Sequence, residues 1–127
     1  IFILRPNNLK EQELQIKNLL KINNLKLIII DTIGYLYRIE EKKEANSSMH
    51  RQFNFLSELS NKIPIILTNQ VYTKLDNKSK EMVGGDMFKN WCKKIIRLEK
   101  DPRRIIFEKP DNKEIYFEIV NNGILLK

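Results

Sequence analysis

The chain has 127 residues, is 42% hydrophobic, and carries 23 Lys and Arg against 16 Asp and Glu, for a net charge of +7. This suits one domain, or most of one, with its own core and a nucleic-acid partner, although lysines also simply solvate helix faces. A single cysteine, Cys92, excludes an internal disulfide and fits a reducing cytosol, and no apolar run approaches the roughly 20 residues that span a bilayer, so no membrane is expected as a partner.

Ile1 to Leu4 reads as a strand, with Arg5 and Pro6 just after it. The chain opens there without Met or a basic leader, and reads as a fragment of a longer protein. Asn7 and Asn8 are N-cap candidates for a helix over residues 9–22, where Leu9, Ile16, Leu19 and Leu20 share a face. Residues 26–31 form the next strand. Its run Leu27-Ile28-Ile29-Ile30 has the β-branched continuity of a strand buried on both faces, as in parallel sheets.

Residues 33–39 are apolar and aromatic, and residues 40–48 are strongly polar and predict an exposed loop. Ser47 or Ser48 would cap a helix through Lys62, with Met49, Phe53, Leu56 and Leu59 as its buried stripe. A second apolar strand covers residues 63–71 and ends on Thr68, Asn69 and Gln70. This strand–helix–strand order is what parallel pairing requires. Residues 72–85 are polar and basic, end in Gly84-Gly85, and have the length of a functional loop. Phe88 and Trp91 suggest a short helix after Asp86. Four short strands follow, over residues 94–99, 104–109, 114–120 and 124–126, with turns at Asp101-Pro102, Pro110-Asp111-Asn112 and Asn121-Asn122-Gly123. The expected class is α/β: parallel strands with crossover helices, then an antiparallel β meander.

In open α/β sheets ligands sit beyond the carboxyl ends of the strands, and Asp31 and Gln70 stand there. A carboxylate at Asp31 can hold Mg²⁺ through its water shell, since Mg²⁺ needs only one or two carboxylates. Thr32 adds a hydroxyl beside it. An Asp at a strand exit also simply caps the turn that follows, and the short pattern alone favours that role. The Gln70 amide can bond a phosphate or water on one side and the loop on the other; alone, an ordinary polar strand end explains it as well. Gly84 and Gly85 permit close backbone approach, or a plain turn.

Two segments carry basic residues: Lys42, Lys43 and Arg51 around the first, and Lys74, Lys78 and Lys80 in the second, where Tyr72 has a ring to stack on a base. Glu40, Glu41 and Glu44 dilute the first set. His50 is the sole histidine and reads as an exposed helix residue. Cys92 and Trp91 read as packing residues, with no base or orienting partner apparent. The sequence contains no G-x-x-x-x-G-K-[ST], so no phosphate-cradling loop, and this chain alone is not expected to hydrolyse a nucleotide.

Taken in order, Leu27-Ile28-Ile29-Ile30-Asp31, Ile66-Leu67-Thr68-Asn69-Gln70-Val71-Tyr72-Thr73, Val83-Gly84-Gly85-Asp86, residues 91–100, and residues 114–119 with Asn122-Gly123-Ile124 resemble the carboxyl-terminal part of a RecA-type recombinase ATPase core. The likeness is nearest to the archaeal paralogues that assist the main recombinase. It covers nearly the whole chain. Each motif is weak alone, but T-N-Q-V-Y-T and I-I-R-L-E-K in this order are specific.

The resemblance implies that Asp31 is the Walker B aspartate acting on Mg²⁺–ATP, and that Gln70 couples the γ-phosphate to the second DNA-binding loop. Residues 40–48 would be the first such loop and residues 72–85 the second. Pro110 falls where related recombinases set a proline against the adenine of a neighbouring subunit. The P-loop and catalytic glutamate would lie upstream of Ile1. The implied function is an accessory to DNA repair and homologous recombination that binds ATP and DNA and hydrolyses ATP weakly or not at all. Its implied partners are DNA, a RadA-like main recombinase and further copies of itself. The alternative is a non-enzymatic DNA-binding or recombinase-interacting module on the same scaffold. An unrelated α/β protein would leave the ordered motifs unexplained.

Overall fold

A computed structural model describes residues 1–73 and 80–127 and divides the chain into two compact units, Ile1–Gly85 and Asp86–Lys127.

In the first unit, α1 spans Leu9–Leu19. The Asn8 side chain accepts from the Glu11 N–H at 2.8 Å, and Glu11 reaches back to the Asn7 N–H at 2.8 Å, so two orphan donors of the first turn are satisfied reciprocally. Leu9, Gln12 and Ile16 form its buried stripe. The helix ends before residue 22 because Leu20, Lys21 and Ile22 each donate three residues back, which tightens the last turn. Strand β1 is Ile28–Ile30, α2 is Tyr35–Ile39, α3 is Lys42–Ser60 and β2 is Ile65–Leu67. β1 and β2 pair in parallel, Ile28 opposite Ile65 and Ile30 opposite Leu67, with α2 and α3 as the crossover.

Four expectations need correction. Ile1 to Leu4 form no strand and are exposed, because β1 and β2 pair only with each other and no described strand offers a ladder for this run. The β1–β2 pair is not buried on both faces: Ile28 is buried, but Ile29 is 60% and Ile66 51% exposed. Residues 42–48 are helix, not loop. Ala45 and Met49 are both fully buried, so the apolar stripe of α3 starts upstream of the serines. Glu, Lys and Ala are strong helix formers, which the polar look of this run conceals. Ser47 bonds the Lys43 carbonyl and Ser48 bonds Glu13, so neither caps the helix.

The fourth correction concerns residues 72–85. Val71–Thr73 (β3) and Lys80–Met82 (β4) pair antiparallel, Val71 opposite Met82 and Thr73 opposite Lys80. The two ends of the expected loop are therefore the legs of a hairpin.

The second unit holds most of α4 (Gly85–Trp91), whose Phe88 is buried, and the expected meander: β5 (Ile95–Lys100), β6 (Arg103–Lys109), β7 (Lys113–Val120) and β8 (Gly123–Leu126), in that order and antiparallel. Register sorts its faces. Leu98, Ile105 and Ile115 stand in line on one face. On the other, Arg97 and Arg104 grip Glu99 between them, and each holds a second carboxylate, Glu108 at 2.6 Å and Glu114 at 3.0 Å. Gly123 closes the last turn at φ 136°, a conformation L side chains rarely adopt.

Candidate functional site

The parallel register brings the exits of β1 and β2 side by side. The Thr68 N–H donates to Ile30 and the Ile33 N–H to Thr68, so the ladder continues past both strands. At that edge the Thr68 hydroxyl donates to Asp31 Oδ1 at 2.5 Å. Asp31 is exposed, and among the described residues it has no other protein donor. A carboxylate with one oxygen anchored and the other open suits Mg²⁺, which keeps most of its waters. No group of three or more His, Cys, Asp or Glu that would hold a metal occurs among the described residues, so a cation here would draw its remaining ligands from water and phosphate. Thr32 Oγ1 is buried and unpaired among the described residues, which leaves Asp31 as the group a solvated cation can reach.

Gln70 lies two residues past Thr68. Its Oε1 accepts from Arg38 Nη1, on α2, at 2.6 Å. Its backbone N–H donates to Asn69 Oδ1 at 2.9 Å. Asn69 Nδ2 donates to the Val83 carbonyl at 2.7 Å, and the Val83 N–H returns to the Gln70 carbonyl at 2.9 Å. The β2 exit is thus fastened to the base of the β3–β4 hairpin. Gly34 makes room for this: a Cβ there would stand 2.3 Å from Asn69 Oδ1 and 3.1 Å from Val83 Cγ1. Arg38 escapes the sequence reading, and Asn69 stands in it only as part of the polar strand exit and the T-N-Q-V-Y-T run, with no role of its own.

The remaining candidates separate. Lys42 and Lys43 are exposed in the first turn of α3. The Arg51 guanidinium is occupied: Nε and Nη2 bond Glu13 of α1 at 2.6 and 2.9 Å, and Ser48 adds a third bond to the same carboxylate at 2.6 Å. These bonds, Arg51 foremost, hold the Glu13 carboxyl below the usual carboxylate range. Tyr72 is half exposed opposite Glu81, to which its hydroxyl donates at 3.4 Å, and Lys80 is exposed at the start of β4. Lys74 and Lys78 lie outside the described residues. Gly84 and Gly85 take φ values of 80° and 51°, a backbone that favours glycine. Pro110 is exposed in the β6–β7 turn of the second unit. His50 is exposed on α3. Cys92 is half-buried, and burial pushes its thiol up despite the opposing charge of Lys109.

No protein-family model matches the chain. Over 98% of its length it is 34% identical to the DNA repair and recombination protein RadB of Methanosphaera stadtmanae, covering 62% of that protein. It is 35% identical to RadB of Thermococcus sibiricus over 96% of its length and 59% of that relative. The chain spans about three fifths of the length of these curated relatives. The crystal structure of the RadB recombinase superposes with a TM-score of 0.69 at 28% identity, over 95% of this chain and 61% of that one. A KaiC-like protein from Pyrococcus horikoshii shares the fold, with a TM-score of 0.63 at 20% identity over 95% of this chain and 57% of that one.

A parallel crossover with polar strand exits, followed by an antiparallel meander, gives the chain a RecA-like fold. In sequence and in fold the chain is similar to RadB.

Proposed function

We propose that the chain is the DNA-facing part of a recombination accessory protein whose grip on DNA depends on bound Mg²⁺–ATP. The observation that carries this reading is the fastening of the Gln70 strand exit to the β3–β4 hairpin through Asn69 and Val83, beside the Asp31–Thr68 pair. Asp31 offers a carboxylate oxygen to the water shell of Mg²⁺. Gln70 presents its amide toward a phosphate, and the hairpin carries Tyr72 and Lys80 toward DNA. Bound ATP would supply the γ-phosphate by which the loaded and empty states differ. The phosphate cradle comes from outside this sequence, which has no P-loop. Pro110 is assigned to the adenine of a neighbouring copy, and a RadA-like main recombinase is the protein partner. Hydrolysis by the complete protein is slow or absent in this reading.

A second reading rests on the same strand exits and hairpin: a DNA-binding or recombinase-interacting scaffold blind to nucleotide. DNA titrations of the complete gene product, single-stranded against duplex, with and without Mg²⁺–ATP and across salt, separate the two. A nucleotide-dependent shift in affinity that Gln70→Ala abolishes supports coupling. Salt-dependent binding with no such shift supports the scaffold. Absence of DNA binding overturns the first reading and leaves only the recombinase-interacting form of the second.

A further inference from the structure

We propose that Arg38 is the positioning residue for Gln70, and that it sets the Gln70 amide with its N–H donors turned toward a hydrogen-bond acceptor. The inference rests on the nucleotide-coupled reading above and adds to it a residue that lies 32 positions away in sequence.

A glutamine amide has one accepting and one donating end, and a free amide can present either to a ligand. Guanidinium removes that choice, because arginine has five donors and no acceptor. The Gln70 atom 2.6 Å from Arg38 Nη1 must therefore be its carbonyl oxygen. The two N–H groups then face away from Arg38. An amide so held turns its two donors toward an anionic oxygen such as a phosphate, while its carbonyl oxygen is engaged by Arg38. The pair is charge-assisted, which makes it stronger than a bond between neutral partners.

The arginine is carried on a fixed platform. Its helix, α2, is preceded by its N-cap Gly34, which abuts Asn69, and the Arg38 N–H bonds the Gly34 carbonyl at 3.3 Å. Tyr37, the preceding residue, donates its hydroxyl to Asn46 of α3 at 2.8 Å. Arg38 is exposed, and its role is not core packing. The Gln70 backbone is held from the other side by Asn69 and Val83. Side chain and main chain of Gln70 are thus located by different elements, and Arg38 locates the half that meets the ligand.

The test uses the complete gene product and a fluorescent single-stranded oligothymidylate, titrated with and without Mg²⁺ and a slowly hydrolysed ATP analogue. The readout is the ratio of the two dissociation constants. In the unmodified protein the ratio is expected to reach roughly fivefold or more, the usual scale of coupling between sites. Arg38→Ala is expected to bring it close to one while nucleotide-free DNA affinity stays within about twofold. Arg38→Lys, which keeps one charged donor, should restore part of the shift. The Arg38→Ala, Gln70→Ala double variant should lose no more than either single change, as partners in one interaction do. A full shift in Arg38→Ala, or additive losses, overturns the proposal while leaving nucleotide coupling intact. A fall in nucleotide-free affinity with a salt slope lower by about one makes Arg38 a phosphate contact and also overturns it.

A second measurement needs no nucleotide. The side-chain amide resonance of Gln70 should move in Arg38→Ala and hold its position in Arg51→Ala. An unmoved resonance in Arg38→Ala overturns the proposal. No shift in the unmodified protein would instead show that the nucleotide-coupled reading itself had failed, and the proposal would fall with it.

Discussion

Asn69 Nδ2 donates to the Val83 carbonyl at 2.7 Å across 14 positions of sequence, and this bond joins the end of a parallel strand to the foot of an antiparallel hairpin. The same side chain accepts the Gln70 N–H through its other end. Asparagine suits this place because it offers a donor and an acceptor on one short planar group. Asn69→Asp keeps the acceptor, loses the donor and sets a carboxylate against a carbonyl. It should destabilise the first unit by about 1–3 kcal/mol, the cost of leaving a buried polar group unpaired. Urea unfolding followed by circular dichroism would read this as a lower midpoint at unchanged slope. An unchanged midpoint would mean that the hairpin foot is held by its backbone bonds alone.

Gly34 is a matter of space. A methyl group there would meet Asn69 Oδ1 at 2.3 Å, and Asn69 cannot swing away without giving up its bonds to Val83 and Gln70. Gly34→Ala should therefore cost about 1–3 kcal/mol, as overpacking does, and alanine is also the poorer residue at the N-cap of α2. The Asn69→Ala, Gly34→Ala double variant removes the clash and should be less destabilised than the two single losses summed. Additive losses would place the effect of Gly34 elsewhere.

Local signals explain what the sequence made legible. Asn8 capping α1, the β-branched runs flanking a crossover, and the alternating strands of the meander are each written within a dozen residues or so, and all three match the structure. The start of α3 was hidden because Ala45 looks like part of a polar run until its burial against the rest of the fold is known. Ile1 to Leu4 had strand composition but no described partner, and strand propensity without a ladder makes no strand. Asp31 and Gln70 were legible as polar residues closing apolar runs. Arg38 and Asn69 were not, because their meaning lies in partners across the fold. Arg51 was read for its charge, which Glu13 already engages.

Cys92 provides a check on the second unit. Burial raises its thiol above the ordinary value, and the charge of Lys109 offsets this only in part. Since the thiolate is the reacting form, alkylation by iodoacetamide near pH 7 should be slower than for an exposed cysteine and should accelerate as pH rises. The same thiol in urea should react at the rate of a free cysteine. Rapid alkylation of the folded protein near neutral pH would show that the thiol is neither shielded nor raised.

The Glu13–Arg51 clamp between α1 and α3 makes the first unit sensitive to acid. Arg51 and Ser48 both bond the Glu13 carboxylate, so its folded pKa lies below its unfolded one. Such a group adds stability that is present above the unfolded value and is lost as pH falls through the folded one. The window therefore opens near the usual carboxylate value of about 4.5 and extends downward. Glu13→Gln removes the charge at every pH. Its melting temperature should lie below that of the unmodified protein at about pH 7, and the gap should close as pH falls through the lowered folded value and Glu13 becomes protonated. Added salt should narrow the gap at neutral pH, because Arg51 is well exposed and the pair is screened. A gap that persisted unchanged into acid would mean that Glu13 acts through packing and its bond to Ser48, with its charge contributing nothing.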